Sequence, residues 1–268
     1  MSSTQDDRPG EIRLTKQDGG IATVTISNPR RKNAVSRPMH RQLERIWEEI
    51  DCDDDIRVVI LTGDGDAFCA GTDLSVQKDQ NEAGRPGRPP TGSARRLFWN
   101  MLDCEKPIIA KVRGVAYGLG VNIALAADIV VASEGTRLCD SHVKMGIAPG
   151  DGGAALWPLL IGFHRAKELL MLGDPVEASK AAELGLINHC VPEDELDDYV
   201  NTLAAKLTAG APLAISYAKM SVNLMLKQMM AGAFETSLAY DQLTLFTKDH
   251  KEGVRAFMEK RKPRFIGS

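Results

Sequence analysis

The stretch that decides the fold runs from Ile108 to Gly153, IIAKVRGVAYGLGVNIALAADIVVASEGTRLCDSHVKMGIAPGDGG. It opens on an apolar run, Ile108–Val112, and passes a turn of small residues, Gly114 to Gly120, into an Ala-rich helix over Val121–Ala127. A second apolar run, 128–132, follows, and the segment closes on PGDGG. Upstream, Arg57–Thr62 (RVVILT) repeats the same signature. A continuous apolar run is the pattern of a parallel strand covered on both faces. Three such runs alternating with helical patterns predict an α/β fold.

Reading outward, Ile12–Leu14 and Ile21–Ile26 flank Asp18-Gly19-Gly20 and predict a β-hairpin. Asn28–Ala34 (NPRRKNA) is a basic loop, either a solvated turn or a clamp for a phosphorylated ligand. Ser36 is placed to cap a helix from about Pro38 to Asp51. Residues 77–93, rich in Pro, Gly and charge, predict a mobile loop, either a lid or a surface insertion. Beyond PGDGG the patterns are helical, with three long ones at Asp194–Thr208, Pro212–Ala231 and Ala233–Lys248. Residues 1–10 read as a disordered tail, 11–200 as the core and 201–268 as a C-terminal helical region.

Composition excludes several classes. A net charge of −3 in 268 residues gives no cationic field for nucleic acid. No apolar run approaches the ~20 residues of a membrane span. The polar, acidic N-terminus is not a secretory signal. Five cysteines, odd in number and without a C-x-x-C pair, suggest reduced thiols in a cytoplasmic protein. No run of His, Cys and acids has metal-ligand spacing, so no metal is expected.

Two turns can offer backbone N–H donors. One is AFCAGTDL, Ala67–Leu74, at the exit of a buried strand. The other is Gly114–Gly120, opening a helix whose first N–H groups are free and whose dipole favours an oxyanion. A dinucleotide fingerprint is excluded there, because its third glycine is missing.

With these pieces in hand the chain resembles the crotonase (enoyl-CoA hydratase/isomerase) superfamily. The matching motifs are NPRRKNA, VVILTGDGDAFCAGTDL, KPIIAKVRGVAYGLG, the helix ending in AAD, IAPGDGG, LGLINHCVP and KRKPRF, in family order over nearly the whole chain. The resemblance implies a spiral of ββα units and a helical C-terminal part that forms a homotrimer or a dimer of trimers. It implies an acyl-CoA substrate, with coenzyme A entering as part of the thioester and no separate cofactor. The thioester carbonyl would sit between the backbone N–H groups of Ala70 and Leu119. Arg30, Lys32, Ala70, Asp73, Leu74 and Lys260 are the implied coenzyme A contacts, with Arg261 and Lys262 beside Lys260. Asp73 also reads as a residue that holds its turn together.

Two positions depart from the family. Where a hydratase of this kind carries two glutamates, this chain has Asn122 and His142, 20 residues apart in the family's register. Asn122 cannot exchange a proton but can orient water or a substrate oxygen. His142 is either a packed histidine or a base, its ordinary pKa of about 6.5 lying near working pH. Asp151 is either a helix N-cap or the acid that orients His142. Asp140 also lies near His142 in sequence. The IAPGDGG segment is similar to the oxo-camphor hydrolase branch, which cleaves a carbon–carbon bond of a β-diketone with a His and an Asp here. Three functions follow as expectations: an acyl-CoA lyase or isomerase with His142 in place of a glutamate, a C–C hydrolase using His142 and Asp151, and a coenzyme A binder without chemistry. Glu235, Tyr240 and Asp241 read as a solvated or interface helix face, or as residues approaching a neighbouring site in a trimer.

Overall fold

Strand β3 (Val58–Gly63) sits between β2 (Ile21–Ser27) and β4 (Ile108–Val112), parallel to both. The computed structural model describes residues 10–73 and 91–268. The sheet runs β1-β2-β3-β4-β6-β9, with β1 (Glu11–Gln17), β6 (Ile129–Ser133) and β9 (His189–Val191) completing it. β1 and β2 form the expected antiparallel hairpin, and the other pairings are parallel. The alternation of a strand explains the continuous apolar run of β3. Val59 and Leu61 face the main core, while Val58 and Ile60 join Ile109 and Val131 against Leu196, Val200 and Ala204 of helix α7 (Leu196–Ala209).

A second sheet, β5-β7-β8, lies beside the first: β5 (Val115–Tyr117), β7 (Arg137–Cys139) and β8 (Val176–Glu177). The chain alternates between the sheets, β4 to β5 and then α3 (Leu119–Leu125), β6 to β7 and then α4 (Gly153–Ile161). That is the ββα spiral. Its consequence is local. Cys69 bridges Ala116 of β5, and Tyr117 pairs with Cys139. The chain therefore leaves three neighbouring strands side by side, at Ala70, Gly118 and Asp140, which is where α/β folds place their sites.

Helix α1 (Arg37–Asp51) buries Leu43, Ile46, Trp47 and Ile50 as predicted, although the Ser36 hydroxyl at its N-cap makes no capping hydrogen bond. Helix α2 begins at Thr91 and runs to Asp103, so the last residues assigned to the loop 77–93 are helical. The rest of that loop, Leu74 and residues 1–9 lie outside the described residues. Helices α5 (Phe163–Leu172) and α6 (Ala178–Leu184) follow α4. The two patterns at 212–231 and 233–248 are one helix, α8 (Pro212–Leu245), followed by α9 (Lys248–Met258). Gly232 does not break α8, because one interior glycine costs only ~1 kcal/mol, less than the packing on either side supplies. Lys219 pairs with Asp128 at 2.8 Å, Asn223 Nδ2 donates to the Leu102 carbonyl at 2.9 Å, and the Phe234 ring meets Phe98 and Trp99 at 5.5 and 4.9 Å. Met230, Phe234 and Leu238 join the main core, and the expected boundary at residue 200 falls inside helix α7. Among the described residues no helix is long and apolar enough to cross a membrane.

Candidate active site

Asn122 is the hub. It lies on α3, a helix whose seven residues are all buried, and its side chain has no exposure. Its Nδ2 donates to Asp140 Oδ2 at 3.1 Å and to Asp151 Oδ1 at 2.9 Å, and its Oδ1 accepts from Trp157 Nε1 at 3.0 Å. Indole N–H can only donate, which fixes the orientation of the amide. Both amide hydrogens and the oxygen are engaged inside the protein. In this arrangement the Asn122 amide orients two carboxylates, a role the sequence reading of a residue that orients water or a substrate oxygen did not include.

His142 lies between those carboxylates. It opens a 3-10 turn (His142–Met145) after β7, with Nδ1 2.6 Å from Asp140 Oδ1 and Nε2 3.3 Å from Asp151 Oδ2. Burial opposes a charge on the ring, but the carboxylates of Asp151 and Asp140 outweigh it and hold the imidazole pKa well above 6.5. Burial likewise works against the Asp140 charge, yet His142 and the Asn122 amide bring its pKa below the ordinary value. The two carboxylates thus favour the protonated form of His142, where the sequence alone offered a base of ordinary pKa. Nor is Asp151 an N-cap: Gly152 holds that position of α4. The side chain of Asp140 is 1% exposed and that of Asp151 17%, so Asp151 is the more accessible carboxylate of the pair.

Ligand atoms of Asp140, His142 and Asp151 lie within 4.8 Å of one another, a set that sequence spacing did not reveal. Both ring nitrogens already face carboxylates and Asn122 binds the other carboxylate oxygens, so the arrangement suits a hydrogen-bonded chain better than a metal ion.

The two turns approach each other. Gly71 has φ +101°, and a Cβ there would lie 2.9 Å from the Tyr117 carbonyl and 3.8 Å from Leu119 N, so only glycine lets the turns close. Leu119 is the first residue of α3 and has no carbonyl of that helix behind it to accept its N–H. The N–H of Ala70 is not free as expected: it donates to the Lys32 carbonyl at 2.9 Å. The sequence could not show this, because the partner lies 38 residues upstream in the basic loop. Lys32 holds a left-handed conformation there, φ 48°.

Asn33, unremarked in the sequence, fastens that loop. Its fully buried side chain accepts from Asn28 N at 2.9 Å and donates to the carbonyls of Asp64 and Ala67 at 2.8 and 2.7 Å. Asp73 pairs with Arg31 at 2.5 Å, which fits its reading as a turn-holding residue. Arg30, Lys32 and Lys260 are exposed. Arg261 is committed to Glu252 and Glu259. Glu235 pairs with Arg95 of its own chain at 3.0 Å. Asp140, noted on sequence only as an acid near His142, is the partner of its ring, and the residue that sequence reasoning missed is Trp157, 35 positions from Asn122.

The family model for enoyl-CoA hydratase/isomerase matches residues 16–268. The chain belongs to the enoyl-CoA hydratase/isomerase family. It is similar to a 1,2-epoxyphenylacetyl-CoA isomerase of Escherichia coli, 33% identical over 96% of this chain and 99% of the relative. A short-chain-enoyl-CoA hydratase of Clostridium acetobutylicum is 33% identical over 93% and 95% of the two chains. Among solved structures, an enoyl-CoA hydratase of Mycobacterium avium subsp. paratuberculosis superposes with a TM-score of 0.86 at 28% identity, covering 95% of this chain and 98% of its own. This member of the family is thus an acyl-CoA enzyme of the lyase or isomerase kind on a crotonase fold.

Proposed function

We propose that the enzyme works through a thioester enolate and moves one proton with the Asp151–His142 pair, which favours isomerisation over hydration. The observation that carries this is the closed shell of Asn122. Hydration needs one group to activate water and one to serve the α-carbon. With Asn122 spent inside the protein, one proton station is left at this centre. Asp151 takes the α-proton, the adjacent imidazolium stabilises the charge arrangement, and the same carboxyl returns the proton further along the acyl chain. The enolate oxygen is held by the N–H groups of Leu119 and Ala70, the latter shared with or released from Lys32. Arg30, Lys32 and Lys260 supply cations for the coenzyme A phosphates, Asp73 and Ala70 shape its entry, and Leu74 lies outside the described residues. The reaction needs no cofactor beyond the coenzyme A of its substrate.

The test compares two substrates. Conversion of a 3-enoyl-CoA to the 2-enoyl-CoA is expected to exceed hydration of crotonyl-CoA by ~10²-fold or more, since each missing acid or base typically forfeits ~10²–10⁴. Faster hydration would overturn the reading. The His–Asp pair also suits the C–C hydrolase resemblance, and release of a carboxylic acid from a β-diketone would select that reaction. Binding of acyl-CoA without product would select the inactive homologue.

A homotrimer or dimer of trimers is proposed from the helical surface. Met225 and Met229 of α8 are 63% and 62% exposed, and Phe163, Met171 and Leu172 of α5 are exposed too. Such apolar area marks an interface. Light scattering is expected to give a mass that is a multiple of three of the 29.1 kDa chain, and a monomer would contradict it. Five free cysteines, with the buried thiols of Cys69 and Cys104 pushed up to about 12 by desolvation, fit a reducing, cytoplasmic setting.

A further inference from the structure

Ser237, Asp241 and Thr244 are spaced i, i+4, i+7 on α8 and so share one face. That face lies on the turn just before Asp151. Thr244 Oγ1 accepts from Ala148 N at 2.9 Å, and Ser237 Oγ, which donates to the Phe234 carbonyl at 2.9 Å, also lies 3.4 Å from the Gly150 carbonyl. Asp241 stands between them. A Cβ at Gly150 would lie 2.3 Å from Asp241 Cβ and 3.1 Å from its carboxyl carbon, so the helix can lie here only because residue 150 is glycine. The Thr244 hydroxyl fastens the turn, and Ser237 packs beside it. The carboxyl between them accepts from Gln242 Nε2 at 3.0 Å and does not bond the turn.

We propose that Asp241 is a positioning acid of the site, set against Gly150 so that its own charge state controls the Asp140–His142–Asp151 chain. The proposal rests on reading that chain as the proton station. With Asp241 neutral, the chain carries two carboxylates and one imidazolium. Ionised, Asp241 adds a third carboxylate where a substrate enolate must form, and so opposes it. Burial pushes the Asp241 carboxyl up to about 7, with His142 pulling it down and Asp151 and Asp140 pushing it up. His250, the buried titratable group of α9, is bonded to the Met145 carbonyl at 2.9 Å and its pKa is lowered by burial. Asp241 was a candidate for a neighbouring trimer site on sequence; the helix lays it on its own.

Imidazole NMR of the full chain labelled with ¹⁵N-histidine tests this without substrate, His142 being assigned by loss of its signal in His142→Gln. In the wild type the His142 resonance is expected to show a step centred near pH 7 while the ring stays protonated. In Asp241→Asn that step is expected to vanish, and turnover at pH 8 relative to pH 6 to rise about 10-fold over the wild-type ratio. Asp241→Ala substitutes if the asparagine variant does not fold. Absence of any wild-type step between pH 6 and 8, or its persistence in either variant, overturns the proposal. So do superimposable pH profiles with uniformly lower turnover, the mark of a merely structural role. Loss of the step in a protein that turns over no acyl-CoA would sink the acyl-CoA reading and leave this one standing.

Discussion

Asp151→Asn is expected to lower turnover of an enolisable acyl-CoA by about 10²–10⁴-fold, the usual range for losing a general base. The change is expected to fall mainly on kcat, because the proposed coenzyme A contacts do not include Asp151. Asparagine has the same shape, so its oxygen can still accept from Asn122 or His142. At 17% exposure the lost charge is partly replaced by water, and the fold is expected to persist. Steady-state kinetics together with circular dichroism check both halves. Retention of more than a tenth of wild-type kcat would move the base role to another group.

The largest loss of stability is expected from Asp140→Ala. Asp140 is 2% exposed and serves two buried partners, His142 Nδ1 and Asn122 Nδ2. Removing one partner of a buried ion pair typically costs ~3–5 kcal/mol, because the remaining charge stays desolvated. Asp140→Asn keeps an acceptor for Nδ1 and is expected to lose less. Urea unfolding at fixed protein concentration measures both, the concentration being held because assembly shifts apparent stability. The pH dependence has a defined sign. His142 has a folded pKa above its unfolded value, so its contribution is full below ~6.5 and is lost as pH rises through the folded pKa. A cost below 1 kcal/mol for Asp140→Ala would mean that the imidazolium does not depend on this carboxylate.

The scaffold was legible because it is written in short-range patterns. The β1–β2 hairpin, the apolar runs of β3, β4 and β6, and the stripe of α1 each reflect a periodicity imposed by burial. The continuity of α8 was not legible, since Gly232 signals a break that long-range packing of Phe234 and Asn223 overrides. At the site, the register located Asn122, His142 and Asp151, and the fold brings them together. What they do was hidden in distance. Trp157 closes the Asn122 shell from 35 residues away, and the Lys32 carbonyl occupies the Ala70 N–H from across the basic loop. Charge was hidden too: a histidine read alone has its ordinary pKa, and only the second carboxylate at 3.3 Å reveals the pull toward its protonated form.

The most direct test of a single proton station is exchange at the α-carbon. Butyryl-CoA incubated with the enzyme in D₂O at pD near 7 can be followed by proton NMR, with no double bond to hydrate or move. Catalysed loss of the α-proton signal by the wild type, reduced at least 100-fold in Asp151→Asn, is the predicted result. Equal exchange by wild type and Asp151→Asn would contradict the account.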